Sequence, residues 1–311
     1  MRILVVGAGA IGGYFGGRLL EAGRDVTFLV REGRAAQLAK TGLVIASPLG
    51  NASLPAPPTI LAADVRTPFD LVILSCKAYD LDAAIAAFAP AVGPGTAVIP
   101  LLNGMRHLDV LDARLGSAPV LGGQCVISVR RDDAGRILHL NDLHLLSFGA
   151  RTAEQAPRVQ GIATAMQGAR FEARASDDIV LEMWEKWVFL AALAGITCLT
   201  RAAVGDIAAA GGADLATALL DECRSIAMAA GWPPRPASLT QARDRLSDPG
   251  SMVTASMLAD VERGGPTEAD HILGDLLRRR TAVPAPDHSL LRIALTAITA
   301  SETRARRVQP A

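Results

Sequence analysis

The segment ILVVGAGAIG, residues 3–12, is the strongest indication of the fold because it places a Gly-x-Gly-x-x-Gly motif directly after an apolar run. The run is typical of a buried strand, and residues 11–22, which Gly23 closes, are compatible with a helix. A strand, this motif, a helix and another apolar run predict the βαβ unit that binds dinucleotides. A structural glycine-rich turn that binds nothing is the alternative.

The motif itself is predicted to hold the phosphates of a dinucleotide cofactor. Gly7 would permit the tight turn, Gly9 would let the pyrophosphate approach the backbone, and Gly12 would let the helix pack closely on the strand. The amino end of the helix would face the phosphates, as the helix dipole favours. The predicted phosphate-binding residues are Gly7, Ala8, Gly9, Ala10, Ile11 and Gly12.

The first half of the chain alternates short apolar runs with helical stretches, which is typical of an α/β domain. Beyond Cys125, the turn residues 132–135 and 141–142 each separate two short runs, and they predict antiparallel hairpins that finish the sheet. Four earlier runs read as parallel strands buried on both faces: residues 3–6, 26–30, 71–75 and 97–102.

The second half is predicted to be helical. Asp177 and Asp178 favour a helix start, and glycine or proline interrupts the helical pattern at residues 211–212, 232–236 and 264–266. The predicted fold class is therefore α/β. A Rossmann-like dinucleotide-binding domain over residues 1–174 is followed by an all-helical C-terminal domain over residues 175–311.

The composition of the 311-residue chain, with 50% apolar and 20% charged residues, indicates a globular protein with a large core. The 31 basic residues equal the 31 acidic residues, which argues against a general nucleic-acid binder. Four scattered cysteines without a CxxC pair exclude a disulfide scaffold and a cysteine-based zinc site. We expect a cytoplasmic protein that holds no metal and binds neither membrane nor nucleic acid. A homodimer is compatible with the sequence.

The end of the second predicted strand bears on the choice of cofactor. NAD enzymes usually place Asp or Glu there for the ribose 2′-hydroxyl, whereas this chain has Arg31, and its next carboxylate is Glu32. A guanidinium would attract a 2′-phosphate, so NADP is favoured over NAD. Alternatively, Arg31 is a solvated surface side chain.

Several pieces of the sequence occur in the order of a known family and spread over nearly the whole chain. They are Gly7–Gly12, Arg31, Cys76-Lys77-Ala78, Leu102-Asn103-Gly104-Met105, the helix around Lys186, and Ser256-Met257 followed by Thr267-Glu268. With these pieces the chain resembles the ketopantoate reductase (2-dehydropantoate 2-reductase) family. The resemblance implies NADPH-dependent reduction of a 2-keto acid by a Rossmann-like domain and a helical domain, with the active-site cleft between them.

Lys186 is the predicted general acid. It is flanked by Trp184, Trp187 and Val188 in the most apolar helix of the chain, where an ammonium group without a partner is costly to bury. A lysine so placed could protonate a carbonyl oxygen as hydride arrives at the carbon. The alternative is a surface lysine that pairs with Glu182 one turn earlier. The resemblance favours the catalytic role.

Two polar residues follow predicted strands, where open parallel sheets place their ligands. The amide of Asn103 could contact the nicotinamide side of the cofactor or the substrate, and an ordinary Asn-Gly turn with Gly104 is the alternative. Lys77 is either solvated or, as the resemblance implies, directed at the cofactor.

Ser256 and Glu268 lie on either side of the break at residues 264–266. The resemblance implies that both hold the substrate, and Glu268 is assigned a catalytic role beside Lys186. Their alternatives are an ordinary helix serine and a helix-start glutamate.

The chain departs from the family pattern one and two turns after Lys186. The family carries asparagines at these positions and uses them to contact the substrate, whereas this chain has Leu190 and Ala194. Exchange of a polar for an apolar group in a pocket can shift specificity by orders of magnitude. Leu190 and Ala194 are therefore expected to line an altered substrate site.

The resulting hypothesis is an NADPH-dependent oxidoreductase that reduces 2-dehydropantoate to pantoate, a step of pantothenate biosynthesis, with Lys186 as general acid. One alternative is a reductase of the same family that acts on a different, more apolar keto acid. Another is a non-catalytic NADP-binding regulator.

Overall fold

The apolar runs of the first half form a parallel sheet in the computed structural model of the chain, which describes residues 1–280 and 288–308. Its strands are β1 (Arg2–Val6), β2 (Asp25–Leu29), β3 (Leu43–Ala46), β4 (Ala52–Leu54), β5 (Thr59–Ile60), β6 (Leu71–Leu74), β7 (Ala97–Pro100), β8 (Gly122–Arg131), β9 (Ile137–Gly149) and β10 (Glu172–Ala175). Neighbouring strands pair in parallel in the order β5-β2-β1-β6-β7. The four predicted parallel strands are confirmed.

The remaining strands form a second sheet in the order β10-β9-β3-β4, with β8 paired to β9. The prediction that hairpins finish the parallel sheet is therefore wrong, although β8 and β9 do form an antiparallel hairpin around residues 132–135. The prediction of a turn at Asn141 and Asp142 is also wrong, because both residues lie inside β9. The pairing changes register here, and the side-chain oxygen of Asn141 accepts the Ser128 N–H at 3.1 Å. A side chain thus replaces a backbone acceptor, which lets the strand continue.

The second half is helical, as predicted, and the predicted breaks fall between helices. The chain's helices in the described residues are α1 (Ala10–Glu21), α2 (Glu32–Thr41), α3 (Leu81–Phe88), α4 (Arg106–Leu115), α5 (Ala156–Met166), α6 (Ile179–Thr200), α7 (Val204–Ala209), α8 (Ala213–Ala229), α9 (Pro236–Ser247), α10 (Ser256–Glu262), α11 (Asp275–Arg278) and α12 (Leu290–Val308). The predicted fold class, a Rossmann-like domain followed by a helical domain, is confirmed.

Helix α1 packs against both sheets through glycines. A Cβ at Gly16 would lie 2.6 Å from Phe28 Cε1 of β2, and a Cβ at Gly17 would lie 2.9 Å from Ile45 Cδ1 of β3. The helix can therefore approach both sheets more closely than any larger residue would allow. This packing fixes the amino end of α1 at the carboxyl edge of the parallel sheet.

The chain divides into two units. The first comprises Met1–Leu102 and His107–Val180, and the second comprises Asn103–Arg106 and the chain from Leu181 onward. Residues 175–180, which were predicted to lie in the helical domain, belong to the first unit. In the second unit, α6 supplies buried core residues, among them Trp187 and Ala191.

Candidate functional site

The glycine-rich turn joins β1 to α1 and is held by the two neighbouring strands. Gly7 has φ +93°, in the left-handed region that favours glycine, and its N–H donates to Leu29 O of β2 at 2.9 Å. On the other side, the Ser75 hydroxyl after β6 donates to Val6 O at 2.9 Å. The turn is therefore fixed at the edge of the sheet where open α/β sheets bind ligands.

Gly9 and Gly12 have opposite surroundings. A Cβ at Gly9 would meet nothing within 4 Å, whereas a Cβ at Gly12 would lie 2.1 Å from Gly7 O and 2.2 Å from Ser75 Oγ. The first N–H groups of α1 have no acceptor within the helix, and its first turn carries no acidic side chain. Open space, backbone donors and the lack of a competing carboxylate fit the pyrophosphate of a dinucleotide.

Ser75 is a residue that sequence reasoning missed. Besides its bond to Val6, its hydroxyl lies 3.3 Å from Gly7 O, so it links the end of β6 to the glycine-rich turn. The signal in the sequence was its position directly after an apolar strand, which does not distinguish a structural hydroxyl from a solvated one.

Arg31 lies at the amino end of α2, where its guanidinium pairs with a carboxylate. Its Nη2 donates to Asp80 Oδ1 at 2.7 Å, and the Arg31 side chain is 80% exposed. The hydrogen bond and the charge of Asp80 raise the pKa of Arg31. An anion could reach this exposed guanidinium, but it would compete with Asp80.

Arg34, one turn further along α2, ties this helix to the glycine-rich turn. Its Nε donates to Ala8 O at 3.0 Å, and its Nη1 donates to Gln37 Oε1 at 2.6 Å. Gln37 in turn donates to Ala134 O of the β8–β9 hairpin at 3.1 Å. Burial and the positive charge of Arg131 lower the pKa of Arg34 to about 10, so it stays charged at neutral pH. Nothing in its sequence context distinguishes Arg34 from a surface arginine.

Two further predicted site residues follow strands β6 and β7. Lys77 is half-buried and precedes the short 3-10 turn Ala78–Asp80. Asn103 is also half-buried, and the next residue, Gly104, has φ +77°. Lys77 belongs to the first unit with the glycine-rich turn, whereas Asn103 belongs to the second unit with most of α6.

Lys186 lies near the middle of α6. Its side chain is half-buried, whereas its neighbours Glu185 and Trp187 are buried. Glu185 accepts hydrogen bonds from the backbone N–H and the guanidinium of Arg235, at 2.8 and 2.9 Å for N and Nε. The carboxylate adjacent in sequence is therefore engaged by an arginine, and Lys186 lies on a helix that is otherwise largely apolar.

Leu190 and Ala194 follow Lys186 by one and two turns, so the three residues share a face of α6. Leu190 is half-buried and Ala194 is buried. Neither side chain offers a hydrogen-bonding group, so this face is apolar beyond the lysine.

Ser256 and Glu268 both lie in the second unit. Ser256 is exposed and begins α10, and the N–H of the preceding Ala255 donates to Thr197 Oγ1 of α6 at 3.3 Å. Glu268 is buried and lies shortly before the π-helical turn Asp270–Gly274. The start of α10 is thus tied to α6, the helix that carries Lys186.

The structure places the predicted site residues in two groups, one in each unit. The group in the first unit comprises Gly7–Gly12, Arg31 and Lys77, and the group in the second comprises Asn103, Lys186, Leu190, Ala194, Ser256 and Glu268. Sequence reasoning missed a member of the second group, the buried His271, against which Gly104 packs, since a Cβ at Gly104 would lie 3.3 Å from His271 Cδ2. A lone histidine without a metal-ligand spacing gave no sign of this contact.

No group of three or more His, Cys, Asp or Glu side chains in residues 1–280 and 288–308 is arranged to hold a metal ion. Within the same residues, every helix is too short or too polar to cross a membrane.

Two family models together match most of the chain. The model described as "Ketopantoate reductase PanE/ApbA" matches residues 3–152. The model described as "Ketopantoate reductase PanE/ApbA C terminal" matches residues 178–298. The two matches fall largely in the first and second units, respectively.

Individual relatives match over nearly their full length. YkpB of Bacillus subtilis, described as an uncharacterized oxidoreductase, is 39% identical over 92% of this chain and 95% of its own. The 2-dehydropantoate 2-reductase of Mesorhizobium japonicum is 30% identical over 92% of this chain and 94% of its own. A crystal structure of 2-dehydropantoate 2-reductase from Geobacter metallireducens is similar with a TM-score of 0.87 at 26% identity, covering 97% of this chain and 100% of that one.

Proposed function

The chain belongs to the ketopantoate reductase family, and we propose that it is an NADPH-dependent oxidoreductase that reduces a 2-keto acid to a 2-hydroxy acid. One observation carries the proposal: the chain combines an open glycine-rich turn at the amino end of α1 with a half-buried lysine, Lys186, in the apolar helix α6. The turn suits a dinucleotide, and the lysine suits protonation of a carbonyl oxygen. The substrate we propose first is 2-dehydropantoate, whose reduction gives pantoate for pantothenate biosynthesis.

The cofactor would be held mainly by the first unit. The backbone of Gly7–Gly12 would bind the pyrophosphate, and Arg31 would bind the 2′-phosphate that distinguishes NADP from NAD. Lys77 and Asn103 would contact the cofactor as well, Asn103 through an amide that can also reach the substrate. When bound, NADPH supplies the hydride that reduces the keto carbon.

Lys186 would supply the proton. As negative charge develops on the keto oxygen, the ammonium group protonates it or stabilises it. Buried Trp184, Trp187 and Val188 exclude water along this helix, and an ammonium interacts more strongly with a developing charge where water is excluded. Glu268 and Ser256 would hold the substrate, and Glu268 would take part in catalysis from its buried position.

A second candidate function keeps the chemistry and changes the substrate. Leu190 is half-buried and Ala194 is buried on the face of α6 that carries Lys186. A pocket with apolar groups at these positions supplies no hydrogen bonds to the polar substituents of a substrate, so burying such substituents there costs binding free energy. This observation favours a keto acid with a more apolar side chain than 2-dehydropantoate.

The test is NADPH oxidation, followed by absorbance, with 2-dehydropantoate and with a panel of bulkier, more apolar 2-keto acids. Turnover of 2-dehydropantoate that prefers NADPH to NADH supports the first proposal, and turnover of only the apolar acids supports the second. Tight binding of NADPH without turnover of any keto acid contradicts both and favours an NADP-binding regulator.

The proposal includes a cytoplasmic location and a homodimer. Light scattering on the purified protein tests the oligomeric state, with the mass of two chains as the expected result. Fractionation of the producing cells tests the location.

A further inference from the structure

A π-helical turn, Asp270–Gly274, lies between Glu268 and α11 in the second unit. π-helical turns are rare and occur frequently at functional sites. The N–H of Ile272, in the middle of this turn, donates to Glu268 O at 2.9 Å. The turn is therefore bonded directly to a residue for which we propose a role in catalysis.

The backbone of Ile272 also reaches helix α6. The indole Nε1 of Trp187 donates to Ile272 O at 2.9 Å, and both the Trp187 side chain and this bond are buried. Ile272 is thus bonded to Glu268 through its N–H and to Trp187 through its carbonyl. Because Trp187 directly follows Lys186 in the sequence, this connection joins the two segments that carry the proposed catalytic residues.

The burial of the Trp187–Ile272 bond makes its loss costly. The side chain of Ile272 is buried as well as the indole of Trp187. A buried carbonyl that loses its donor keeps the full cost of its desolvation. The backbone around Ile272 would have to shift to find another donor, and that shift would move the segment of Glu268 relative to α6.

Trp184, three residues earlier on α6, shares the surroundings of Trp187. The centroids of the two indole rings lie 4.9 Å apart, and both side chains are buried. The Arg279 guanidinium lies 5.9 Å from the centroid of the Trp184 ring and 5.5 Å from that of the Trp187 ring. The donor to Ile272 O, however, is Trp187. Comparison of the two tryptophans therefore separates the packing of an indole from its hydrogen bond.

We propose that Trp187 is a positioning residue of the proposed reductase, whose indole hydrogen bond to Ile272 fixes the segment of Glu268 relative to the helix that carries Lys186. Its contribution to turnover rests on the proposed function, whereas its effect on the π-helical turn does not. Trp187 acts through these two residues, and small displacements of a positioned group reduce rates strongly.

The kinetic test compares Trp187→Phe with its control, Trp184→Phe. Each substitution replaces a buried indole by a smaller ring, but the first also removes the donor to Ile272 O. We expect Trp187→Phe to lower kcat by about 10- to 100-fold and to leave the KM for NADPH unchanged, because the displacement lies away from the glycine-rich turn. Trp184→Phe should lower kcat far less at a similar melting temperature. Equal losses of kcat in the two variants, or a loss confined to the KM for NADPH, would overturn the proposal.

Hydrogen exchange on the same proteins keeps the two proposals distinguishable. Peptides that cover residues 268–274 should exchange faster in Trp187→Phe than in wild type and Trp184→Phe. If wild type turns over no keto acid but this exchange pattern holds, the proposed function fails and the positioning of the π-helical turn by Trp187 stands. Unchanged exchange in Trp187→Phe contradicts the role whatever the activity. If Trp187→Phe does not fold, Trp187→Met, which adapts to irregular space and also lacks the N–H, is compared with Trp184→Met in both measurements.

Discussion

The glycine-rich turn of the first unit and the π-helical turn of the second both hold candidate site residues, but they are fixed in different ways. The first depends on the missing side chain of Gly12, where a Cβ would lie 2.1 Å from Gly7 O. The second depends on side chains far apart in sequence, since Trp187 Nε1 donates to Ile272 O and Arg106 Nη1 donates to Asp270 Oδ2. The proposed cofactor end is thus encoded in one short motif, whereas the proposed substrate end depends on long-range hydrogen bonds.

The largest expected effect separates chemistry from cofactor binding. Lys186→Ala should lower kcat by about 10²- to 10⁴-fold, the range for loss of a general acid, because it removes the proposed proton donor to the keto oxygen. The affinity for NADPH, measured by fluorescence titration, should stay unchanged. Lys40→Ala serves as the control, since Lys40 is exposed on α2. Full activity of the Lys186→Ala protein would remove Lys186 from the mechanism.

The next effect tests the glycine-rich turn with a matched pair of substitutions. Gly12→Ala forces a methyl group onto Gly7 O and Ser75 Oγ and should lower the free energy of unfolding by about 3 kcal/mol, the upper range for overpacking. Gly9→Ala meets open space and should leave the free energy of unfolding unchanged. Urea denaturation measures both.

The Gly12→Ala and Gly9→Ala variants should also differ from wild type in their affinity for the cofactor. Both glycine variants should bind NADPH more weakly than wild type, Gly9→Ala because its methyl group occupies the space meant for the pyrophosphate. A stable Gly9→Ala protein with wild-type affinity for NADPH would show that the phosphates bind elsewhere.

The third effect concerns Arg31 and its partner. Arg31→Ala should raise the KM for NADPH by about 10- to 100-fold, the value of a charge-assisted hydrogen bond, and leave the KM for NADH unchanged. Asp80→Ala should have the opposite and smaller effect, lowering the KM for NADPH by at most about fivefold, since exposed ion pairs are weak. If Arg31→Ala changes both KM values alike, Arg31 does not select the cofactor.

The smallest effect is a pH dependence of stability in the first unit. Tyr14 OH and His144 Nδ1 lie 2.9 Å apart, and burial together with the charges of His139 and Arg18 lowers the pKa of His144 from 6.5. The unfolded chain therefore binds this proton more readily, so the free energy of unfolding falls as the pH drops below 6.5.

Urea denaturation between pH 7.5 and 5 checks this dependence. His144→Asn, which cannot titrate, should show a shallower fall than wild type, and His288→Asn should not. If the free energy of unfolding falls with pH as steeply in His144→Asn as in wild type, other groups cause the acid sensitivity. The buried His271 is then the next residue to test.

Local pattern was enough to predict four strands of the parallel sheet, the glycine-rich turn and α6, because a run of consecutive residues indicates each of them. Strands such as β4 (Ala52–Leu54) and β5 (Thr59–Ile60) could not be predicted, since they are very short and exist through pairing with distant strands. The prediction of a turn at Asn141 was wrong for a related reason. An Asn-Asp pair is typical of a turn, but here its side chain bonds across the hairpin to Ser128.

Some residues of the candidate site could likewise be predicted from the local sequence, and others could not. Gly7–Gly12 and Lys186 stand out from their neighbours in sequence, whereas Ser75 and Arg34 act through partners that no spacing reveals. The association of Asn103–Arg106 with the second unit is likewise a long-range effect, made by the contact of Arg106 with Asp270 and of Gly104 with His271.

The proposed reaction is tested most directly by measuring the product as well as the cofactor. Wild type and Lys186→Ala are each incubated with NADPH and 2-dehydropantoate, and separately with NADPH and an apolar 2-keto acid. In each reaction, the amount of 2-hydroxy acid formed is compared with the amount of NADPH consumed. We expect one 2-hydroxy acid per NADPH with at least one of the two substrates, at a rate that depends on Lys186. NADPH binding without formation of a 2-hydroxy acid from either substrate, or product formation that is independent of Lys186, would contradict the proposed reaction.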